Sequence, residues 1–192
     1  MHADARAWIA EHPDEYDLVV GDLFHPWMTG AGDLLSREHF LALRRGLRPE
    51  GVVVQWLPLH QLPWPAFGSA ARAFLEAFPT ARLFVATPLA NRPLVALVGG
   101  MVAGLPDAAL VDAMLQASPS PVGPSGAVDV YDLYVCDAWG LATRFQGEPP
   151  VTRDRPVSEF RSLGRQDDED RTSAWNTRLL SELCRPLDTS SL

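Results

Sequence analysis

The sequence contains no lysine: all 16 basic residues among its 192 are arginine. That absence removes a P-loop lysine, a Schiff-base lysine and a lysine general base from the chemistry open to the chain. Positive charge is in deficit overall, because 24 acidic residues leave a formal net charge of −8. Nucleic acid needs a basic groove to neutralise its phosphates, so it is excluded as the expected partner. Cysteine is scarce. Cys136 and Cys184 stand far apart, so neither belongs to a CxxC redox pair or a Cys-based zinc site. Reduced thiols are expected, a single disulfide being the alternative. His2, His12, His25, His39 and His60 show no HExxH or other ligand spacing, so no metal is expected, and His39 and His60 read as surface or boundary residues. Long apolar runs are missing too. Pro93 to Pro106 is the most apolar stretch, but it contains three glycines and falls short of the roughly 20 residues a membrane span requires. After Arg6 the chain reads Ala7-Trp8-Ile9-Ala10 and turns polar at Glu11, which is no signal peptide. A soluble, cytoplasmic protein is expected.

What is present suffices for a real core. The chain is 47% hydrophobic with 6 Trp, and its length suits one domain. Asp4 to His12 reads as a helix, and Tyr16 to Gly21 as a buried strand. A loop with Pro26, Gly30 and Gly32 follows to Asp33; its Gly30-Ala31-Gly32 lacks the third glycine of a nucleotide-binding turn and reads as flexible loop. Ser36 caps a helix through Arg48, and Gly51 to Leu57 is a second buried strand. Pro63 and Pro65 open a helix through Phe78, with Phe67, Ala71, Phe74, Leu75 and Phe78 on one face. Ala81 to Ala86 and Leu94 to Val98 are strands, and Asp107 to Ala117 an amphipathic helix. This alternation predicts an α/β sheet whose first strands are parallel. Beyond the Ser118–Gly126 loop the pattern is less regular, with a solvated acidic run at Asp167–Asp170 and a helix-like Ser173–Arg185. The expected division is an α/β domain over 1–160 and a polar, helical tail over 161–192.

Ligands of open α/β sheets bind beyond the carboxyl ends of the strands. That rule singles out Asp22, directly after Tyr16–Gly21, and Gln55-Trp56. The apolar residues Leu23-Phe24-His25-Pro26-Trp27 follow Asp22, which suits a partly dry carboxylate acting as general base or counter-ion. A carboxylate that caps its own loop is the plain alternative. Trp27, Trp56 and Trp64 offer aromatic walls for a sulfonium or an amine, or else belong to the core.

Three ordered blocks carry a family resemblance. Asp4-Ala5-Arg6 precedes a helix; Tyr16-Asp17-Leu18-Val19-Val20-Gly21-Asp22 precedes a Pro-containing loop; Gly51-Val52-Val53-Val54-Gln55-Trp56-Leu57-Pro58 follows. A late segment, Val151-Thr152-Arg153-Asp154-Arg155-Pro156-Val157-Ser158-Glu159-Phe160, is similar to "NTDDRPxxEF". Together they resemble the spermidine synthase-like (polyamine aminopropyltransferase) family, closest to its bacterial transporter-fused branch. The resemblance implies transfer of an aminopropyl group from decarboxylated S-adenosylmethionine to an amine, with no tightly bound cofactor. It implies that Asp22 accepts the amine proton and that Asp4 and Ala5 hold the adenine. Gln55 and His25 fall at substrate-side positions.

The departures are specific. His25 stands where a D-x-x-D-P pattern has its second acid, and a neutral imidazole does not balance a distal ammonium as a carboxylate does. Val151 and Arg153 replace an Asn and an Asp in the late block. The family order places a Gly-rich cofactor-binding half ahead of Asp4. The expected fold is therefore a partial Rossmann-like sheet of the class I methyltransferase type, lacking the N-terminal Gly-rich strands. On that expectation the isolated chain has impaired activity, and it pairs as a homodimer or with a complementary N-terminal half. The same sheet also serves S-adenosylmethionine-dependent methyltransferases, with His25 as base. A non-catalytic, partner-dependent half-fold is the third reading.

Overall fold

In the computed structural model, residues 5–22, 25–26, 28–86, 92–100, 107–118 and 124–157 are described, with positions 178, 180 and 183. The chain opens with α1 (Ala5–Glu11) and β1 (Tyr16–Gly21), followed by the short α2 (Ala31–Leu34) and α3 (Arg37–Gly46). Then come β2 (Leu47–Pro58), α4 (Trp64–Ala77), β3 (Arg82–Ala86) and β4 (Leu94–Gly100). The remainder is α5 (Ala108–Ala117), α6 (Ala127–Asp132), β5 (Tyr134–Asp137) and α7 (Ala138–Arg144).

The five strands form one sheet in the order β1-β2-β4-β3-β5. β1 and β2 are parallel, as expected; β4 runs antiparallel to β2 and β3, and β5 antiparallel to β3. The architecture is a mixed α/β fold with an open sheet.

Local chemistry accounts for the element ends. The Ser36 hydroxyl accepts a hydrogen bond from the His39 N–H at the start of α3, satisfying one of the orphan donors of the first turn. The helix stops at Gly46, two residues earlier than expected, because Leu47 already pairs with Tyr16 in the sheet. Asp107 caps α5 by accepting from the Ala109 and Leu110 N–H groups. α5 is mostly exposed, with Val111 its buried residue, so its apolar face is only partly used.

The two faces of the sheet differ. Val53, Leu57, Leu83, Val95 and Leu97 are fully buried on one face, within a core that includes Phe40 and Phe74. The Phe40 ring meets Phe74 edge-on at 5.0 Å, and Phe74 lies 4.8 Å from Phe78. The other face is thinly covered. Leu18 and Val20 of β1 are 58% and 53% exposed, and Val52, Val54 and Phe84 are half-buried. Among the described residues β1 is also the outermost strand, hydrogen-bonded on one side to β2. The expectation of a buried β1 is corrected accordingly: an apolar run is buried only if something lies over both faces, and the described residues cover one.

Other expectations are adjusted. Residues 31–33, read as the end of a loop, belong to the short helix α2, entered through Gly30 at φ 87°. α6, β5 and α7 occupy a region read as irregular. His39 and His60 are buried, at 8% and 6% exposure, which corrects the expectation of surface or boundary positions. Cys136 is buried and forms no disulfide among the described residues; Cys184 lies outside them. The Asp167–Asp170 run lies outside the described residues, as does the Ser173–Arg185 helix except at Arg178, Leu180 and Leu183, which are helical. No helix among the described residues is long and apolar enough to cross a membrane.

Candidate functional site

The parallel pairing of β1 and β2 sets the geometry. Gly21, the last residue of β1, is paired directly with Gln55, and β2 runs on to Pro58 beyond it. Asp22 is the next residue after β1, emerges at its carboxyl end and is exposed. The partly dry setting expected for it does not arise from the described residues; Leu23, Phe24 and Trp27 lie outside them. His25 is exposed on the same loop, and its carbonyl accepts from the Met28 N–H at 3.1 Å. Pro26 between them is buried and anchors the loop to the body. The Met28 carbonyl then accepts from the Ala31 N–H at 2.9 Å, leading into α2.

Gln55 occupies a different environment. It is 2% exposed and lies on the same strand face as Val53 and Leu57. Its Nε2 donates to the Gly21 carbonyl at 3.4 Å and to the Trp56 carbonyl at 3.1 Å. A Cβ placed on Gly21 would lie 2.7 Å from Gln55 Cδ and 2.8 Å from Nε2, so the carboxamide fills the space a side chain there would need. The last residue before Asp22 is thus gripped from the neighbouring strand. Sequence reasoning placed Gln55 at the substrate. The alternation of β2, which sets Gln55 between two buried aliphatic positions, is the signal for its burial.

α1 precedes β1 and connects to it through residues 12–15. Arg6 Nη1 donates to Asp33 Oδ2 at 2.7 Å, an ion pair that ties the first turn of α1 to α2 beyond the Asp22 loop. The structure therefore brings the beginning of α1, with Ala5, to the side of that loop. Asp4 lies outside the described residues.

Trp27 lies outside the described residues, and Trp56 and Trp64 occupy different places. Trp64 packs on Phe67 and Phe145, at 5.4 and 5.1 Å between ring centroids, and belongs to the core. Trp56 is half-buried on the open face of β2. The late block acts as a clasp over its described part. The Val151 N–H donates to the Ser69 carbonyl at 3.2 Å, its carbonyl accepts from the Arg37 N–H at 2.9 Å, and the Arg153 N–H donates to Glu38 Oε2 at 3.2 Å. It joins α3 to α4.

No family model matches the sequence, and no curated protein does. Solved structures do match. A probable spermidine synthase from Corynebacterium glutamicum aligns over 78% of this chain and 52% of its own, with 20% identity and a TM-score of 0.54. A spermidine synthase in complex with the transition-state analogue AdoDATO aligns over 76% of this chain and 50% of its own, with 15% identity and a TM-score of 0.58. The spermidine synthase from Thermotoga maritima aligns over 76% and 47%, with 13% identity and a TM-score of 0.53. The chain spans about half the length of these structures. At such identities the likeness concerns the backbone, and on that level the conclusion is plain: this chain has a spermidine synthase-like fold.

Proposed function

We propose that the chain carries the proton-accepting part of an aminopropyltransferase site, which moves an aminopropyl group from decarboxylated S-adenosylmethionine to a primary amine. The observation that carries this reading is the place of Asp22, directly after the carboxyl end of β1, which is parallel to its neighbour β2, in a spermidine synthase-like sheet. The amine nitrogen attacks the propyl carbon bonded to the sulfonium. The C–N bond forms as the C–S bond breaks, the electron pair goes to sulfur, and methylthioadenosine leaves. Asp22 takes the proton that the amine must lose, the work of a positioned general base. Asp4 and Ala5 serve the adenine at the start of α1, whose first turn is anchored by the Arg6–Asp33 pair. His25 faces the acceptor amine, and Gln55 contributes from beneath by holding Gly21. The AdoDATO complex of one structural neighbour supports this class of co-substrate. Such chemistry belongs to polyamine biosynthesis in the cytoplasm.

A second reading is favoured by a specific observation. Leu18 and Val20 expose more than half of their surface on a parallel strand that is outermost among the described residues. An uncovered strand edge and apolar face invite another chain. The isolated chain is accordingly a weak catalyst, completed by a second copy or by a complementary Gly-rich half. The test is methylthioadenosine formation from decarboxylated S-adenosylmethionine and putrescine, with the chain alone and co-expressed with a Gly-rich nucleotide-binding half. Slow turnover alone and faster turnover with the half is the expected result. No methylthioadenosine under either condition overturns the activity. Thermal stabilisation of the completed protein by S-adenosylhomocysteine and not by methylthioadenosine points to methyl transfer instead.

A further inference from the structure

α1, α3 and the Arg153 turn line a groove of about 750 Å³, formed by Arg6, Arg44, Arg45 and Arg153 with Glu38 and His39, and with the apolar Ala10, Leu41 and Ala42 among them. Its walls are fixed by named bonds. Arg6 is held by Asp33, the Arg153 backbone by Glu38, and Gly46 lets α1 approach so closely that a Cβ there would lie 3.1 Å from Ile9 Cγ2. The volume falls within the roughly 300–1,000 Å³ of small-molecule sites.

The charges in the groove are not all spent on structure. Arginines at a helix C-terminus often serve its unsatisfied carbonyls. Here the Arg45 and Gly46 carbonyls already accept from the Asp14 and Glu15 N–H groups, each at 3.0 Å. Arg44 donates to the Ala77 carbonyl at 2.9 Å, at the end of α4. Ion pairs among the described residues join Arg6 to Asp33, Arg37 to Glu76 and Arg48 to Asp17, and neither Arg45 nor Arg153 takes part in one. Setting the four groove arginines against Glu38 and Asp33 leaves a local surplus of two positive charges, on a chain whose net charge is −8.

We infer that this groove binds a small phosphomonoester, its dianionic phosphate between the guanidinium groups of Arg45 and Arg153 and its remaining atoms along Ala10, Leu41 and Ala42. Guanidinium forks match phosphate oxygens in pairs, which a lysine would not do. The charge surplus equals that of a dianion, and the apolar lining residues favour a phosphate ester over the bare ion. This assignment does not depend on aminopropyl transfer.

Isothermal titration of the purified chain with glycerol 3-phosphate and with inorganic phosphate, in chloride buffer of matched ionic strength, tests it. Saturable one-to-one binding is expected, tighter for the ester. R45Q/R153Q is expected to weaken it at least about tenfold, and R45K/R153K, which keeps charge and loses the fork, to give a smaller loss. R48Q, whose arginine pairs with Asp17 outside the groove, leaves binding unchanged. If R45Q/R153Q does not fold, the lysine pair carries the comparison. Absence of saturable binding for both probes, or equal binding by the parent and the Arg45/Arg153 variants, overturns the inference.

Discussion

Gln55 occupies the side-chain space of Gly21, its paired neighbour on the adjacent parallel strand, and donates to that glycine's carbonyl. A buried carboxamide needs acceptors, and it finds them in the Gly21 and Trp56 carbonyls. The consequence reaches Asp22, whose backbone starts where this contact ends. Gly21→Ala forces a methyl group into the Gln55 carboxamide and is expected to cost about 1–3 kcal/mol, as overpacking does. In a Gln55→Ala background the same change should cost clearly less. Urea unfolding of the two single variants and the double variant measures this coupling. Additive costs would separate the two residues.

The exposed β1 face predicts self-association. Apolar side chains on an open edge strand are a template for pairing, and lysines on such strands prevent it. Sedimentation velocity of the parent chain should show a concentration-dependent shift to larger species. Leu18→Lys with Val20→Lys should leave a monomer. A parent chain that stays monomeric throughout the concentration range contradicts the prediction.

Much of this arrangement is legible in the residues. Val52-Val53-Val54 and Leu18-Val19-Val20 announce strands, and Ser36 before a periodic apolar run announces a capped helix. What escaped has physical reasons. The first residues of β2, Leu47–Glu50, carry a proline and owe their place to pairing with Tyr16 across an irregular register. α6, β5 and α7 are 6, 4 and 7 residues long, too short for a period to declare itself, although Asp137 capping the Gly140 N–H was a usable sign. At the site, the positions of Asp22 and His25 follow from the end of β1. The grip of Gln55 on Gly21 depends on strand register, which no local pattern reveals.

Tyr134 supplies a pH dependence. Burial raises its phenol above the ordinary value, about 10, and the nearby negative charge of Asp137 adds to this. The unfolded chain then releases its proton first, so the folded state holds more protons and loses stability as pH rises from about 10 through the folded value. Below about 10 the contribution is fully present. Tyr134→Phe keeps the ring, which lies 5.7 Å from Phe84, and removes the ionising group. Urea unfolding between neutral and strongly alkaline pH should show a shallower alkaline decline for this variant. An unchanged decline would remove Tyr134 from the account.

Asp22 and His25 decide the chemistry of the proposed site. Both are exposed on the loop that leaves β1, with Pro26 buried beneath them. Asp22→Asn keeps the side-chain shape and removes the basic oxygen. With a complementary Gly-rich half present, turnover is expected to fall on the order of a hundred- to ten-thousand-fold, the usual loss for a positioned general base. Binding of the nucleoside should persist, because it rests on the start of α1 and on the completing half. His25→Asp replaces an imidazole with a carboxylate that can pair with a second ammonium. The KM for putrescine should then drop while the KM for a monoamine of the same length stays put. Methylthioadenosine release measured with both amines reads the two effects separately. If Asp22→Asn turns over at the parent rate, Asp22 serves its loop and the proton goes elsewhere.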